Sequence, residues 1–236
     1  MWLLAESGGD ATLQELNLTS GKIETIVPES TAAKSLVQSP SGVVAVGVAT
    51  GSTGAVELRN GSSGAVVATV PIGAPVKGLA AGADGTTLYV LNGTATSASV
   101  TLVNLQTDQT SVSVPVPLST TAVAVQPTGQ DLYALTAGGT VDEINVGNGS
   151  VTGRFSIGSD PVQLAISNSG STLFVLKRAG SGTNVGVISL ATERQVRAMA
   201  APADCVDIQL SGNDQQIYDV VGTATYGNVQ VFPLSA

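Results

Sequence analysis

The chain is written in apolar runs of four to six residues, broken by Gly, Ser, Thr and Asn, and the runs come in groups of four. In one group, residues 76–81 form a nearly continuous apolar run, Asp84-Gly85 follows, and residues 88–91 form a second run. A loop rich in Asn, Thr and Ser leads to residues 100–105, and a polar turn at 107–110 leads to residues 111–116. Asp-Gly between two apolar runs is a hairpin signal, because glycine accepts a positive φ at no steric cost. The first two runs of a group, a and b, read as strands buried on both faces. The last two, c and d, alternate apolar and polar and read as half-exposed strands. No window carries a 3.6-residue apolar period, so essentially no helix is predicted.

The group repeats along the chain. The phrase around the a–b turn recurs from Pro40 to Val46, Ala83 to Val90, Pro127 to Ala134 and Asn168 to Val175, with a degraded copy from Gly212 to Asp219. The turn positions Gly42, Gly85, Gly129, Gly170 and Asp214 are spaced by about 43 residues. A four-stranded unit of that length is a propeller blade, marginal alone and stable when blades stack and bury each other's faces. A solenoid of stacked sheets is the structural rival. The expected fold is therefore all-β, a β-propeller of four-stranded antiparallel blades forming a single domain over residues 1–236. The chain opens in a b strand at Trp2 and ends in a c strand at residues 229–232, which makes about 5.5 repeats. Six blades is the preferred count, and five blades or part of a seven-bladed ring are the alternatives.

Composition narrows the chemistry. Histidine is absent and Cys205 is the single cysteine. That excludes Ser-His-Asp and Cys-His catalysis, His-ligated metals, an intrachain disulfide and a thiolate cluster. The formal net charge is −8 with no basic run, which argues against nucleic acid. Mean hydropathy is +0.32, yet no apolar run approaches the ~20 residues of a membrane span. Residues 1–5 are too short for a signal peptide and Glu6 follows at once. The expectation is a soluble chain, whole or trimmed from a precursor. Gly8-Gly9-Asp10 and Gly212-Asn213-Asp214 lack the charge density of a calcium loop, so no metal and no cofactor is expected. Asn17, Asn60, Asn92 and Asn148 fit the glycan-acceptor pattern but read as turn residues. Cys205 reads as a buried small residue.

The stretch from Ala65 to Gly73, with Pro75, Ala83-Asp84-Gly85 and Leu88-Tyr89-Val90, resembles the YVTN β-propeller repeat. Phe155 to Gly158, Asp160-Pro161, Leu164 to Ser167 and Leu173-Phe174-Val175 are similar in the same way. The resemblance covers nearly the whole chain and is specific for fold. It implies a propeller, usually seven-bladed and often outside the cytoplasm, with some members surface-associated or ligand-binding. The chain departs from that family in repeat number, in its decayed sixth unit and in weakened Tyr-Val-Ala-Asn signatures.

In a propeller the d–a and b–c loops open on one face. Counting back from the turns places Lys34, Lys77, Thr121, Val162 and Val206 at the start of the a strands, followed by Ser35, Gly78, Ala122, Gln163 and Asp207. Lys34 and Lys77 are two of only four lysines, and they suggest an anion or carboxylate site at the channel mouth with Gln163 and Asp207 opposite. The plain alternative makes them solvated rim residues paired with Glu29, Asp160 or Asp204. Lys177 and Arg178, at the mouth of a long b–c loop, and Tyr226 are further loop-face candidates. Tyr89, Tyr133, Phe174 and Tyr218 share one b-strand position and read as blade core. The function these features favour is a non-enzymatic binding or interaction module, extracytoplasmic, engaging an unknown protein or a small anionic ligand. A propeller enzyme of lactonase or lyase type, and a structural unit completed by another chain, are the alternatives.

Overall fold

The computed structural model describes the chain except residues 8, 9, 31, 181, 223–226, 235 and 236, and it contains 22 strands with no helix among the described residues. No helix is therefore long and apolar enough to cross a membrane, which says nothing of a β-barrel. Two compact units divide the chain, Met1–Leu118 and Ser119–Ala236.

The first unit holds three antiparallel sheets with strands in chain order. The first sheet is β1 (Trp2–Ser7), β2 (Asp10–Asn17) and β3 (Lys22–Glu29). The second is β4 (Ala33–Gln38), β5 (Val43–Thr50), β6 (Thr53–Asn60) and β7 (Val66–Pro71). The third is β8 (Val76–Ala81), β9 (Thr87–Gly93), β10 (Ala98–Asn104) and β11 (Gln109–Pro115). The second unit continues the series. Its sheets are β12 (Thr120–Val125), β13 (Asp131–Thr136), β14 (Thr140–Asn145) and β15 (Val151–Ser156); β16 (Pro161–Ile166), β17 (Thr172–Ala179), β18 (Gly182–Ser189) and β19 (Arg194–Ala201); and β20 (Cys205–Leu210), β21 (Gln216–Gly222) and β22 (Gly227–Pro233). These sheets are the blades of a six-bladed β-propeller. Four contain four strands, and the first and last contain three, as the sequence arithmetic requires.

The turn chemistry behaves as the sequence predicts. Gly42, Gly85, Gly129 and Gly170 have φ of 87°, 69°, 73° and 69°, and Asp214 takes the same left-handed conformation at 54°. In the c–d hairpins, the Oδ1 atoms of Asn17, Asn60 and Asn104 accept from backbone N–H groups two and three residues on, an Asx turn in each case. Asn148 does the same for Ser150 N at 2.9 Å. Asn92 is a correction. It lies buried in β9, not in a turn, and its side-chain amide donates to the Val90 and Ser99 carbonyls and to Thr101 Oγ1 on β10, each at 3.0 Å.

The b strands β9 and β13 are buried almost end to end. Tyr89, Tyr133 and Phe174 are buried at the shared b position, as expected of blade core. The a strands β4, β8, β16 and β20 are more open than their apolar runs suggest. Each is a sheet edge with a hydrogen-bonded neighbour on one side only, so full burial is not required of it. The d strand β11 is exposed along most of its length.

One regular device is invisible in the sequence. In every a–b pair the register slips by one residue near the start of the a strand, between Ala33 and Ser35, Val76 and Gly78, Thr120 and Ala122, Pro161 and Gln163, and Cys205 and Asp207. Lys34, Lys77, Thr121, Val162 and Val206 are thus the extra residues of five equivalent β-bulges. A bulge takes its residue out of the ladder and re-aims the side chain.

Candidate functional site

Lys34 and Lys77 occupy the bulges of β4 and β8, two a strands that pack against each other within the first unit. Both residues are exposed. The bulge explains why a lysine is tolerated between the buried Ala33 or Val76 and the half-buried Ser35 or Gly78: its side chain is not required to join either sheet face. Glu29, one expected partner of these lysines, is engaged elsewhere. Its carboxylate lies 2.9 Å from the guanidinium of Arg59, which also contacts Glu57 at 2.6 Å. Arg59 is 5% exposed and donates to the Gly64 carbonyl at 2.8 Å. Trp2 Nε1 closes the same seam by donating to the Gly61 carbonyl at 2.9 Å.

In the second unit, Gln163 and Asp207 follow the bulges of β16 and β20 and are hydrogen-bonded to each other. Asp207 also accepts from Ile208 N at 2.9 Å and Gln209 Nε2 at 3.3 Å. Desolvation raises its carboxyl above the usual range, against the lowering effect of those donors. The four expected channel-mouth residues therefore divide into a lysine pair in one unit and an amide–carboxyl pair in the other.

Lys177 and Arg178 are not loop residues. β17 and β18 extend as a long hairpin, with Lys177 opposite Asn184 and Arg178 opposite Thr183. The apolar and β-branched content of both strands lets the ladder run past the point where the sequence suggests a loop. Lys177 Nζ donates to the Ile157 carbonyl and to Gln195 Oε1, each at 2.9 Å, and burial lowers its pKa. Arg178 is exposed. Tyr226 lies outside the described residues, as does most of Gly8-Gly9-Asp10. Among the described residues, no group of three or more Cys, Asp or Glu side chains is placed to hold a metal ion.

The sixth sheet carries a group that sequence reasoning passed over. Asp219 on β21 pairs with Ile208, at the register position that Val46, Val90, Ala134 and Val175 hold in other blades. It is 1% exposed, and its Oδ1 has no hydrogen-bond partner. Alternation puts it on the β21 face shared by Ile217, which packs with Phe174, Leu176, Val185, Cys205 and Ile208. Burial pushes its carboxyl up to about 6. The signal was an aspartate inside an otherwise apolar b run. Cys205 is fully buried beside it, and burial first, then the Asp219 charge, pushes the thiol up to about 12. Iodoacetamide at pH 8 should therefore leave Cys205 unmodified in the folded protein and label it fully in denaturant. Mass spectrometry checks this, and rapid native labelling would contradict it.

No model of a known protein family matches the chain, and no curated protein matches it. Solved structures match in large number (1495 chains). One is hydrazine synthase of Kuenenia stuttgartiensis, with a TM-score of 0.63 and 18% identity over 86% of this chain. The match spans 66% of that chain, just under two thirds of its length. At this identity the likeness concerns the fold, which serves many unrelated functions.

Proposed function

We propose that this chain is a non-enzymatic binding module that holds a small carboxylate ligand at Lys34 and Lys77, on the d–a/b–c loop face. The observation that carries the reading is their placement. Two exposed lysines sit at the same bulge position on a strands that pack together. An anion between two lysines on packed neighbouring strands accepts charge-assisted hydrogen bonds from both. A rigid frame with site residues at strand ends is a common arrangement for recognition. The likeness of the repeat to the YVTN propellers supports the same reading, and membership of that group and an extracytoplasmic setting are part of the proposal.

The test is calorimetry with citrate at low ionic strength. The Lys34→Ala/Lys77→Ala protein should bind at least tenfold more weakly than the parent. Lys22→Ala, which removes an exposed lysine from β3, should leave the affinity unchanged. Affinity should fall as salt rises through the Debye-screening range. Equal affinity in all three proteins would overturn the reading.

A further inference from the structure

A cavity of about 260 Å³ opens between the fifth and sixth sheets, within the second unit, on the side of the a–b hairpins. Its wall combines Asp214, Arg197, the hydroxyls of Ser167 and Ser169, and the apolar surfaces of Phe174 and Met199. We infer that this cleft binds a small zwitterion with an aliphatic body, of the α-amino acid class, its ammonium toward Asp214 and its carboxylate toward Arg197.

Two features of the cleft leave a charged group incompletely satisfied. The first is Asp214. Four of the five a–b turns place glycine at this left-handed position, and the fifth places an aspartate there at φ 54°. An L-residue is strained in that conformation, although aspartate tolerates it better than most. Asp214 Oδ2 accepts from Asn168 N of the neighbouring hairpin at 2.8 Å. Its Oδ1 is buried with no hydrogen-bond donor. A carboxylate oxygen withdrawn from water without a donor is unfavourable, and a ligand ammonium at the cavity wall beside Asp214 offsets the charge of that carboxylate.

The second feature is Arg197 on β19. Among the described residues it forms no ion pair. Its guanidinium reaches the Leu234 carbonyl only at 3.4 Å. An acceptor-only group and a donor-only group thus face one cavity without pairing. A ligand with both a positive and a negative end satisfies the two together, and an Arg fork suits a carboxylate. Ser167 and Ser169 hydroxyls, 3.0 Å apart, can donate or accept by rotation and so fit either end. Phe174 and Met199 give the aliphatic body apolar surface. The volume lies below the ~300 Å³ at which drug-sized pockets begin, which restricts the ligand to a small molecule.

The experiment is a 1H–15N NMR titration with L-leucine, with 3-methylbutylamine and 4-methylpentanoate as probes that each lack one charged end. Leucine should shift the amides of Ser169, Asp214 and Arg197, and each half-probe should bind at least tenfold more weakly. Asp214→Gly restores the residue of the other turns and should keep the melting temperature while weakening leucine at least tenfold. Arg197→Gln should weaken it comparably. Absence of any leucine response at 50 mM would overturn the inference. So would equal binding by a half-probe, tighter binding of a neutral hexose, or undiminished binding by both variants.

Discussion

Replacing Arg59 with alanine is expected to destabilise the first unit by about 3–5 kcal/mol, among the largest effects of any single change. Arg59 on β6 neutralises Glu29, whose side chain is 1% exposed, and contacts Glu57, whose side chain is 23% exposed. Removing the guanidinium leaves a buried carboxylate without its counter-charge and the Gly64 carbonyl without its donor. Desolvation, not the Coulomb gain of the pair, makes this change costly. The double variant Arg59→Met/Glu29→Gln should recover more than half of the loss, because it removes the stranded charge. Urea denaturation of the three proteins measures this through the midpoint at unchanged slope. A midpoint within error of the parent for Arg59→Ala would show that the triad is solvated.

Asp219→Val is expected to act in the opposite direction. The folded protein holds the Asp219 carboxyl at about 6, against ~3.9 for an unfolded aspartate. A raised folded pKa favours the protonated form in the fold. This contribution to stability is complete below pH 4 and is lost as pH rises through 6. At ~1.4 kcal/mol per unit, the parent should lose about 2–3 kcal/mol from this group between pH 4 and pH 7.5. Asp219→Val restores the apolar residue of the other blades. It should be more stable than the parent at pH 7.5 by a similar amount and should lack that part of the pH dependence. Thermal unfolding at both pH values checks it, and a variant less stable than the parent at pH 7.5 would contradict the assignment.

Periodicity and turn chemistry are local, so the strand order, the blade count and the left-handed turns at Gly42, Gly85, Gly129, Gly170 and Asp214 were legible. The exposure of Lys34 and Lys77 was legible too, but the bulge that takes them out of the ladder is a pairing property that no single strand reveals. The Arg59–Glu29 contact spans two blades and leaves no local pattern. In the sequence alone Glu29 reads as one of several carboxylates available to the lysines. The sequence puts Lys177 and Arg178 at the mouth of a loop reaching Asn184, whereas the ladder continues to Ala179 opposite Gly182. In the sixth unit, Asp214 and Asp219 passed as repeat decay. The register shows both as substitutions at positions that the other blades keep as glycine and as buried apolar residues.

The central claim is that Lys34 and Lys77 form an anion site. Its most direct test is a 1H–15N NMR titration of the whole chain with citrate, read at the amides of β4 and β8. Shifts should be concentrated at Lys34, Ser35, Lys77 and Gly78, saturate with one affinity and be absent from the Lys34→Ala/Lys77→Ala protein. Shifts that are absent, or that persist in the double variant, would contradict it.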